Sequence, residues 1–589
     1  MENMLNIKIN GSDYQAPKGA TVLEAARLAN VEIPTLCYLK DINEIGACRM
    51  CITEVSEMRG NAPGPRRMVA ACVYPISEGM SVFTNTPKVL DSRKKTLELI
   101  LSNHERKCLS CVRSQNCELQ KLCRDMGVDF EDAYGGEKTA SEIDTSAAHM
   151  IRDNSKCILC RRCVAVCEKV QGVGVIGANE RGFKTNIASA FEEGLGETSC
   201  VSCGQCIAVC PVGALYEKDS TDAVFEALAD ESKTVIVQTA PAVRAALGEA
   251  FGLPIGTDTE GKMAAALRKL GFDKVFDTDF AADLTIMEEA HEFLDRVKNG
   301  GKLPLITSCS PGWVKYCEHY FPDITENLSS CKSPMQMFGA TAKTYYAEKE
   351  GLKPEDIVVV AVMPCTAKKF EIGRDDESAA GVPDVDISIT TRELARMIDR
   401  AGIKFLELED DKFDEPLGLS TGAGVIFGAT GGVMEAALRT AVEELTGKEL
   451  ENLDFTDVRG TQGVKEASYD VAGMTVKVAV VSGLANAKEL LKKVESGEAD
   501  YQFIEIMGCP GGCVNGGGQP QQPGWVRNTV DIKELRAKVL YDIDKGMKIR
   551  KSHENPDIKQ VYAEYFGEPG SEKAHHVLHT TYVKRGLYK

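Results

Sequence analysis

Two stretches of the sequence, CILCRRCVAVC at residues 157–167 and CVSCGQCIAVCP at residues 200–211, repeat one cysteine pattern. In each stretch two residues separate neighbouring cysteines among the first three, and three residues separate the third from the fourth. This Cys-x2-Cys-x2-Cys-x3-Cys pattern binds a pair of [4Fe–4S] clusters, and the fourth cysteine of each run ligates the other cluster. We therefore predict two ligand sets: Cys157, Cys160, Cys163 and Cys210 for one cluster, and Cys200, Cys203, Cys206 and Cys167 for the other.

The N-terminal part of the chain carries another four cysteines, spaced Cys37-x10-Cys48-x2-Cys51-x20-Cys72. Four thiolates suit a [2Fe–2S] cluster, although a structural zinc site uses the same donors. Upstream, residues 7–9 alternate as a strand, an Asn-Gly pair follows as a hairpin signal, and Thr21-x-x-Glu24 is a capping box that opens a helix. This order is similar to the β-grasp fold of [2Fe–2S] ferredoxins and favours the iron–sulfur cluster over zinc.

A third group of ligands, His104-x3-Cys108-x2-Cys111-x5-Cys117, lies between the first two. The pattern of residues 86–130 is helical, which places His104 and Cys108 one turn apart on the same helix face. Three thiolates and one imidazole bind either zinc or a [4Fe–4S] cluster, and the cluster motifs on both sides favour the cluster. Cys123 lies close by, and we interpret it as a structural cysteine. Residues 131–155 are polar and acidic and are typical of a connector.

The composition limits the classes of protein to which the chain can belong. Its 589 residues suggest several domains, and 69 basic against 87 acidic residues give a net charge of −18, which argues against nucleic acid as a partner. No apolar run is long enough to span a membrane, and the N-terminus lacks a secretory signal pattern. We expect a cytoplasmic protein without membrane contact, in which 22 cysteines indicate metal sites rather than disulfides.

Beyond residue 222 the cysteines become sparse, and apolar strands alternate with helical segments. The predicted strands are TVIVQT (234–239), LPLI (303–306), IVVVAVM (357–363), VKVAVVS (476–482) and FIEIM (503–507). Their Val and Ile content is typical of an α/β sheet buried on both faces. Cys309, Cys365 and Cys509 follow three of these strands closely, where open α/β sheets build their sites. Any one of them could be a buried core cysteine, but together with Cys513 they suggest a further metal site.

Three motifs around these cysteines resemble the signature of the [FeFe]-hydrogenases. They are TSCSPGW at residues 307–313, MPCTAKKFE at residues 363–371 and EIMGCPGGCVNG at residues 505–516. The family shows TSCCPxW, MPCxxKxxE and ExMxCxxGCxxG in the same order. Because the upstream cluster motifs match as well, the resemblance covers essentially the whole chain.

The resemblance implies an H-cluster, in which a thiolate bridges a [4Fe–4S] cubane to a di-iron subsite carrying CO, cyanide and a dithiolate amine. It also implies the reaction 2H+ + 2e− ⇌ H2. Carried over by position, Cys365, Cys509 and Cys513 are cubane ligands, and Cys513 is the bridging thiolate. Lys368 would hold a cyanide by a hydrogen bond. The other expected cofactor contacts are Met363, Met507, Ser310 and Pro241.

The chain departs from the family at Cys309-Ser310, where the family usually has two adjacent cysteines. In the family the first cysteine relays protons and the second ligates the cubane, so the resemblance assigns the relay to Cys309 and the ligand position to Ser310. A cubane prefers four thiolates, however, and Cys309 is the alternative ligand. The sequence leaves both assignments open.

The resemblance also implies a proton relay that runs from Arg296 through Glu292, Ser329 and Glu289 to Cys309. Glu289, Glu292 and Arg296 recur at i, i+3 and i+7, which places them on one helix face. Without the family, a solvated charged helix face explains the same pattern.

The expected architecture is a multidomain α/β and α+β protein with four units. They are a β-grasp [2Fe–2S] domain at 1–85, a small helical His/Cys3 [4Fe–4S] domain at 86–140, a bacterial-type two-[4Fe–4S] ferredoxin domain at 141–222, and a large α/β H-cluster domain at 223–589 with a helical tail from about residue 524. The expected cofactors are one [2Fe–2S] cluster, three accessory [4Fe–4S] clusters and the H-cluster.

The resemblance further implies ferredoxin as an electron partner, and maturation proteins that insert the di-iron subsite. Ser310 is similar to the residue that multisubunit members carry, which favours a catalytic subunit beside flavin- and NAD(P)-binding and iron–sulfur partner subunits, with electron bifurcation in some cases. The alternative is a stand-alone, ferredoxin-dependent hydrogenase. Residues 422–427 nearly spell a dinucleotide fingerprint but lack its third glycine, so we assign NAD(P) binding to another subunit.

Two other classes of protein fit the sequence less well. An iron–sulfur assembly factor lacks much of the upstream cluster series, and a hydrogen sensor adds signalling domains that are not recognisable here. An electron-carrying subunit similar to that of respiratory complex I resembles the first 220 residues but lacks the three hydrogenase motifs.

Overall fold

A computed structural model describes residues 3–128, 134–139, 141–450, 452–471 and 474–587. Within these ranges the chain forms mixed α/β units with several separate sheets, each confined to one stretch of the sequence. The predicted connector at 131–155 and the predicted boundary at residue 140 lie partly outside the described residues.

The first stretch contains β1 Met4–Ile9, β2 Ser12–Pro17, α1 Val22–Leu28, β3 Ile52–Ser56, β4 Met58–Arg59, β5 Ala62–Pro63, β6 Arg67–Ala70 and β7 Ser81–Phe83. Five of its strands form one sheet in the order β2-β1-β7-β3-β6. The hairpin turns at Asn10 and Gly11, as predicted, because both residues adopt the positive φ angles that such a turn requires. Thr21 and Glu24 form the predicted capping box, which fixes the start of α1.

The second stretch contains two helices, α2 Pro87–Asn103 and α3 Glu118–Asp125, joined by an irregular loop. The prediction that His104 and Cys108 share a helix face is wrong. His104 caps α2 with an extended backbone, and Cys108 begins a separate single turn of 3-10 helix. The physical reason is a tertiary contact: the N–H of Glu105 donates to the Ser155 carbonyl at 2.9 Å, which draws the chain out of the helix before Cys108.

The cysteine repeat forms the third stretch, and its two copies share one local backbone. Its elements are β8 Ile143–Asp144, β9 Met150–Asp153, α4 Arg162–Ala165, β10 Gly177–Asn179, β11 Asn186–Ala188, α5 Gln205–Val209 and β12 Leu215–Glu217. The residues two and four positions after the first cysteine have positive φ in both copies: Leu159 and Arg161 in one, Ser202 and Gly204 in the other. These left-handed residues alternate with cysteines, which curls each loop and turns successive N–H groups toward a common centre.

The largest stretch builds two four-stranded sheets. The strands are β13 Thr234–Thr239, β14 Lys274–Asp277, β15 Leu305–Ile306, β16 Ile357–Met363, β17 Ile387–Thr390, β18 Val464–Val471, β19 Met474–Ser482 and β20 Phe503–Met507. The order β14-β13-β16-β17 is parallel throughout, and β15-β20-β19-β18 is antiparallel only between β18 and β19. The apolar runs predicted as strands therefore form strands, and they pack into buried cores.

Helices cover both sheets. They are α6 Thr221–Leu228, α7 Pro241–Arg244, α8 Glu260–Leu270, α9 Thr278–Asn299, α10 Pro311–Tyr320, α11 Pro334–Thr341, α12 Ala347–Glu350, α13 Lys368–Glu371, α14 Thr391–Arg400, α15 Gly422–Val425, α16 Gly432–Thr446 and α17 Leu484–Glu495. The near-fingerprint at residues 422–427 is buried and forms α15 and the turn after it, packed against α9 and the tail.

The chain ends in helices that pack on the large unit. They are α18 Gly524–Arg527, α19 Ile532–Gly546, α20 Pro556–Val561 and α21 Glu572–Leu578. Ile558, Val561 and Val577 belong to the same apolar core as β13 and β16. Beyond α21, His579 pairs with Cys331 in an antiparallel bridge. No helix in the described part of the chain combines the length and the apolar character needed to cross a bilayer.

Candidate active site and cluster sites

A largely apolar cavity of about 60 Å³ lies where strands of the two sheets end. Pro241 follows β13, Cys309 follows β15, Met363 and Cys365 stand at the end of β16, and Met507 ends β20. Lys368 and Cys513 complete the polar part of the wall. The cavity thus gathers residues from all three hydrogenase-like motifs, at the carboxyl edge where α/β sheets place their sites.

Cys365, Cys509 and Cys513 form one cluster of neighbouring thiols. Burial raises the pKa of all three thiols, that of Cys513 to about 12, and the nearby Cys365 adds to the shift at Cys509 and Cys513. All 22 cysteines are described by the structure and none forms a disulfide. One buried and two half-buried thiols without a disulfide suit a metal site, because a bound cation deprotonates and stabilises them.

Lys368 faces this cavity from α13. Its ammonium group donates to the Ser333 hydroxyl at 2.8 Å and pairs with Glu371 at 2.7 Å. The side chain is only 9% exposed. Lys368 therefore presents a fixed positive charge and N–H donors at the wall beside Cys365, where an anionic ligand can accept them.

Cys309 and Ser310 point to different neighbours. The Cys309 thiol lines the cavity with Cys513; burial raises the pKa of Cys309, and the charge of Glu289 raises it further. The Ser310 hydroxyl instead accepts a hydrogen bond from the Gly508 N–H at 3.1 Å, next to Cys509. The structure thus separates the two adjacent residues: one faces the cavity and the acidic group, the other faces the cysteine trio from the Cys509 side.

The residues predicted to relay protons lie together on α9 and the loop after α10. Arg296 pairs with Glu292 at 2.6 Å, and the Ser329 hydroxyl donates to Glu292 at 2.8 Å. Burial raises the pKa of Glu289 to about 8, the charge of Glu292 adds to this, and a hydrogen bond with Ser329 opposes it. The Arg296 and Glu292 side chains are partly exposed, whereas Ser329 and Glu289 are buried, so the series leads inward from the surface.

Sequence reasoning missed two groups beside this series. Glu505 is fully buried in β20, accepts the N–H groups of Gly431 and Met434, and contributes charge at both Cys309 and Glu289. The Cys331 thiol lies 3.9 Å from the Glu292 carboxylate. A carboxylate inside the apolar run FIEIM was the available signal for Glu505, since such a group needs buried partners. Cys331 gave no comparable signal.

The cysteine repeat forms a second cavity, lined by Cys167, Cys200, Cys203 and Cys206. These are the four residues predicted for one cluster. Cys157, Cys160, Cys163 and Cys210 influence one another in a separate buried group. Both groups therefore combine three cysteines of one run with the fourth of the other.

The first of these groups lies directly against the active-site loop. A Cβ atom at Gly517 would be 2.3 Å from the Cys203 carbonyl, so only glycine permits the contact. The Thr366 hydroxyl donates to the Ser202 carbonyl, and the Gln205 amide to the Asn515 carbonyl, both at 2.8 Å. The charge of Cys509 contributes to the raised pKa of the Cys203 thiol, so these two thiols are close. The group of Cys167, Cys200, Cys203 and Cys206 is therefore adjacent to the thiols of the active site.

His104 keeps one ring nitrogen available for a ligand despite the wrong helical prediction. Its Nδ1 atom is buried without a hydrogen-bond partner in the described chain, while the ring makes a hydrogen bond with the Lys156 backbone. This division of roles is typical of a metal-ligating imidazole held by a second group. Cys108, Cys111 and Cys117 are close enough to influence one another's charge. Cys123 is 2% exposed within an apolar core, as expected of a structural cysteine.

The N-terminal cysteines also converge. The sulfur atoms of Cys51 and Cys72 are 3.3 Å apart, and the Cys48 N–H lies 3.5 Å from the Cys37 sulfur. Cys37 and Cys51 influence each other's charge, so the two pairs belong to one group. Four buried or half-buried thiols in contact suit a small thiolate-bound cluster.

Known families match successive parts of the chain. The 2Fe-2S iron-sulfur cluster binding domain matches residues 2–87, the iron-sulfur binding region of NADH-ubiquinone oxidoreductase-G matches 93–131, and the 4Fe-4S dicluster domain matches 156–214. The C-terminal domain of the iron only hydrogenase large subunit matches 233–517, and the iron hydrogenase small subunit matches 530–585.

Individual proteins match over the same span. The NADP-reducing hydrogenase subunit HndD of Solidesulfovibrio fructosivorans is 51% identical over 99% of this chain and 99% of its own length. Iron hydrogenase 1 of Clostridium pasteurianum is 44% identical over 99% of this chain and all of its own length. The structure of a variant of apo [FeFe]-hydrogenase HydA1 from Chlamydomonas reinhardtii aligns with a TM-score of 0.56 and 43% identity, covering 63% of this chain and 100% of that one.

Proposed function

The chain belongs to the iron-only hydrogenase family, and on that premise we propose that it catalyses 2H+ + 2e− ⇌ H2 as the catalytic subunit of a multisubunit, NADP-linked enzyme. The full-length relatives are hydrogenases, which confirms the [FeFe]-hydrogenase predicted from the three motifs. The assembly-factor, sensor and pure electron-carrier readings are correspondingly set aside.

The residues of the largely apolar cavity fit the H-cluster that the family implies. Cys365 and Cys513 line the cavity, Pro241, Met363 and Met507 supply apolar wall, and the ammonium group of Lys368 supplies a positive charge. The buried Cys509 is the third thiol of the group. When bound, the H-cluster supplies the iron centre at which protons and electrons combine. We assign the cubane to Cys365, Cys509 and Cys513, and the family resemblance singles out Cys513 as the thiolate that would bridge to the di-iron subsite.

Cys309 is assigned to proton transfer, and Ser310 to the cubane side. The observation that carries this assignment is the position of the Cys309 thiol: it shares the cavity wall with Cys513 and has Glu289 as its strongest charged neighbour. A group that passes protons needs a donor on one side and the reacting centre on the other. The Ser310 hydroxyl, which accepts from Gly508, has neither contact.

We propose that protons reach Cys309 along a series of side chains, and the contacts between neighbouring members support this route. Arg296 holds the Glu292 carboxylate near the surface, the Ser329 hydroxyl bonds to it, and Ser329 in turn influences Glu289. The Oε2 atom of Glu289 has no protein partner in the described residues, which leaves it free for a water molecule. With its raised pKa, Glu289 holds a proton at neutral pH and can release it toward the Cys309 sulfur.

Electrons are proposed to travel through one [2Fe–2S] and three [4Fe–4S] clusters. The two upstream sites at Cys37/Cys48/Cys51/Cys72 and His104/Cys108/Cys111/Cys117 supply the Cys157/Cys160/Cys163/Cys210 cluster. The Cys167/Cys200/Cys203/Cys206 cluster follows and contacts the active-site loop through Gly204 and Gly517. The family matches along residues 2–214 support iron–sulfur clusters in this part of the chain.

The partner subunits are inferred from the relative that carries NADP in its name and is itself a subunit. Flavin and NAD(P) would bind to those partners, with ferredoxin as a second electron carrier and maturation proteins supplying the di-iron subsite. The chain's own glycine segment at 422–427 is buried in α15 and its following turn, so it offers no nucleotide-binding loop.

Infrared spectroscopy of the protein purified anaerobically from its native host tests the proposal. We expect absorption bands of bound CO and cyanide, H2 evolution with reduced carriers, and co-purifying subunits that allow H2-dependent reduction of NADP+. Absence of the CO and cyanide bands from protein with full iron content would contradict hydrogenase activity. A single polypeptide that exchanges electrons with ferredoxin alone would support the stand-alone enzyme instead.

A further inference from the structure

A buried histidine without a partner stands beside one cluster site. His149 precedes β9 and lines the cavity formed by Cys167, Cys200, Cys203 and Cys206. It is 2% exposed, and its Nε2 atom has no hydrogen-bond partner within the described chain. Leaving a buried polar nitrogen unpaired is costly, and in the tautomer that carries its proton on Nε2 the ring requires an acceptor there. The group that belongs in this cavity, a cluster with thiolate and sulfide sulfur atoms, provides acceptors.

A cation lies on the other side of the same site. Lys315, on α10, lines a neighbouring cavity together with His149 and Cys200. Its ammonium nitrogen lies 4.2 Å from the centre of the Phe370 ring and 3.4 Å from the Ser202 hydroxyl. No carboxylate of the described residues lies within ion-pair distance of it. Burial lowers the pKa of Lys315 and raises that of Cys200, and among charged groups each is the other's strongest opposing influence.

These two residues act on the cluster site nearest to the catalytic cavity. Cys203 adjoins Cys509, and the Gly204–Gly517 contact joins the two loops. Reduction adds one electron to a cluster and makes it more negative. A hydrogen bond to a cluster sulfur or a nearby positive charge therefore stabilises the reduced form and raises the reduction potential.

We propose that His149 and Lys315 raise the reduction potential of the [4Fe–4S] cluster held by Cys167, Cys200, Cys203 and Cys206. His149 does so by donating a hydrogen bond from Nε2 to a cluster sulfur, and Lys315 by placing its charge beside Cys200. The inference rests on the ligand assignment made under the proposed function. Because of the raised potential, this cluster is readily reduced and can hold the electron that the active site uses next.

Redox titration of the full chain, followed by electron paramagnetic resonance, measures the effect without reference to turnover. His149→Leu and Lys315→Met should each lower the midpoint of one [4Fe–4S] signal by about tenfold in the equilibrium constant, which is about 59 mV for one electron. The iron content and the other midpoints should stay unchanged. His319→Leu is the matched control. His319 lines the same outer cavity as Lys315, but its ring makes a hydrogen bond with the Gly586 carbonyl and does not line the cluster cavity.

Two conservative variants guard against a purely structural effect. His149→Gln retains an N–H donor and Lys315→Arg retains the charge, so both should keep a midpoint close to that of the unmodified protein. Unchanged midpoints in His149→Leu and Lys315→Met, with full iron content, overturn the proposal. If His149→Leu loses iron, the test rests on His149→Gln. A lowered midpoint in His149→Gln then contradicts the proposed hydrogen bond, and an unchanged midpoint supports it.

A separate variant tests the premise. Cys203→Ala should abolish the same [4Fe–4S] signal. If every [4Fe–4S] signal persists in Cys203→Ala, the ligand assignment of the proposed function fails and the inference falls with it. If the signal disappears but His149 and Lys315 have no effect on its midpoint, only the inference fails.

Discussion

The side-chain amide of Asn43 donates to the Cys160 carbonyl at 3.0 Å, and the same nitrogen donates to the Cys37 carbonyl at 2.7 Å. Asn43 is 1% exposed, so it fastens the N-terminal cysteine loop onto a loop of the ferredoxin-like repeat. The His104 group approaches the same repeat from another side, since a Cβ atom at Gly213 would lie 2.5 Å from the Cys111 sulfur. Two upstream sites therefore converge on one part of the repeat, and the order of sites is forked rather than linear.

Asn43→Ala should loosen this junction. Two buried carbonyls would lose their donor, at about 1–3 kcal/mol for each unsatisfied group. We expect faster amide hydrogen exchange in residues 37–48 and 157–163, measured by mass spectrometry. Asn6→Ala is the control, because the exposed Asn6 amide bonds to Glu78 at 2.9 Å and should matter little. Equal exchange in the two variants would contradict a role of Asn43 in holding the junction.

Cys309→Ala should abolish turnover while leaving the metal centre assembled. Loss of a positioned proton donor typically costs roughly 10²–10⁴-fold in rate, and the Cys309 thiol is placed between Glu289 and the cavity wall. H2 evolution and infrared bands, measured on the same preparation, check both parts. Ser310→Ala should lose far less activity. Loss of cubane iron in Cys309→Ala would instead identify Cys309 as a ligand.

The pH dependence of H2 evolution should reflect Glu289. Burial and the charge of Glu292 raise the pKa of Glu289 to about 8, so the carboxyl holds its proton below that pH and loses it above. We expect the rate to fall as the pH rises through about 8, when the inner proton donor becomes ionised. Glu289→Gln should reduce the rate at every pH and remove this limb of the profile.

The same shift has a consequence for stability. Between about pH 4.5 and 8 the folded protein binds a proton at Glu289 that the unfolded chain has released, so this residue lowers stability as the pH rises through that window. Glu289→Gln should therefore flatten the decline in thermal midpoint between pH 5 and 8. An unchanged slope would show that Glu289 ionises normally in the folded protein.

Glu217 should couple acid stability to the docking of the repeat on the large unit. Its buried carboxylate pairs with Arg392 at 2.7 Å and Arg396 at 2.6 Å; although burial opposes it, the two guanidinium groups hold the pKa of Glu217 well below its usual range. This contribution is present above about pH 4.5 and is lost as the pH falls below it toward the folded-state pKa.

Glu217→Gln should destabilise the contact by about 3–5 kcal/mol at neutral pH, because it leaves buried guanidinium charge unpaired. The variant should also flatten the loss of stability in acid, measured as thermal midpoints from pH 3 to 7. Asp222→Asn is the matched control: Asp222 pairs with Arg400, which lies on the same helix α14 as Arg392 and Arg396, but both side chains are exposed. Similar effects of the two variants would contradict a specific role for the buried pair.

Much of the site was readable because its chemistry is local in the chain. Cluster-binding cysteines must stand at fixed spacings to surround one centre. The spacing in the runs at 157–167 and 200–211 therefore predicted that the fourth cysteine of each run joins the three cysteines of the other. Strand ends predicted the positions of Cys309, Cys365 and Cys509, because a parallel sheet gathers its carboxyl ends at one edge. The i, i+3, i+7 spacing likewise predicted that Glu289, Glu292 and Arg296 share one face of α9, which the structure bears out.

The tertiary structure decided what depends on contact between distant segments. The Glu105–Ser155 hydrogen bond ended α2 at Asn103 and made the helical prediction for His104 and Cys108 wrong. Asn43, Glu505 and His149 gained their places only by packing against residues far away in the sequence. Spacing along the chain governs which ligands can surround one centre, since the backbone limits their reach. Which buried donor, charge or carboxylate stands beside that centre is set by close packing, and no local pattern encodes it.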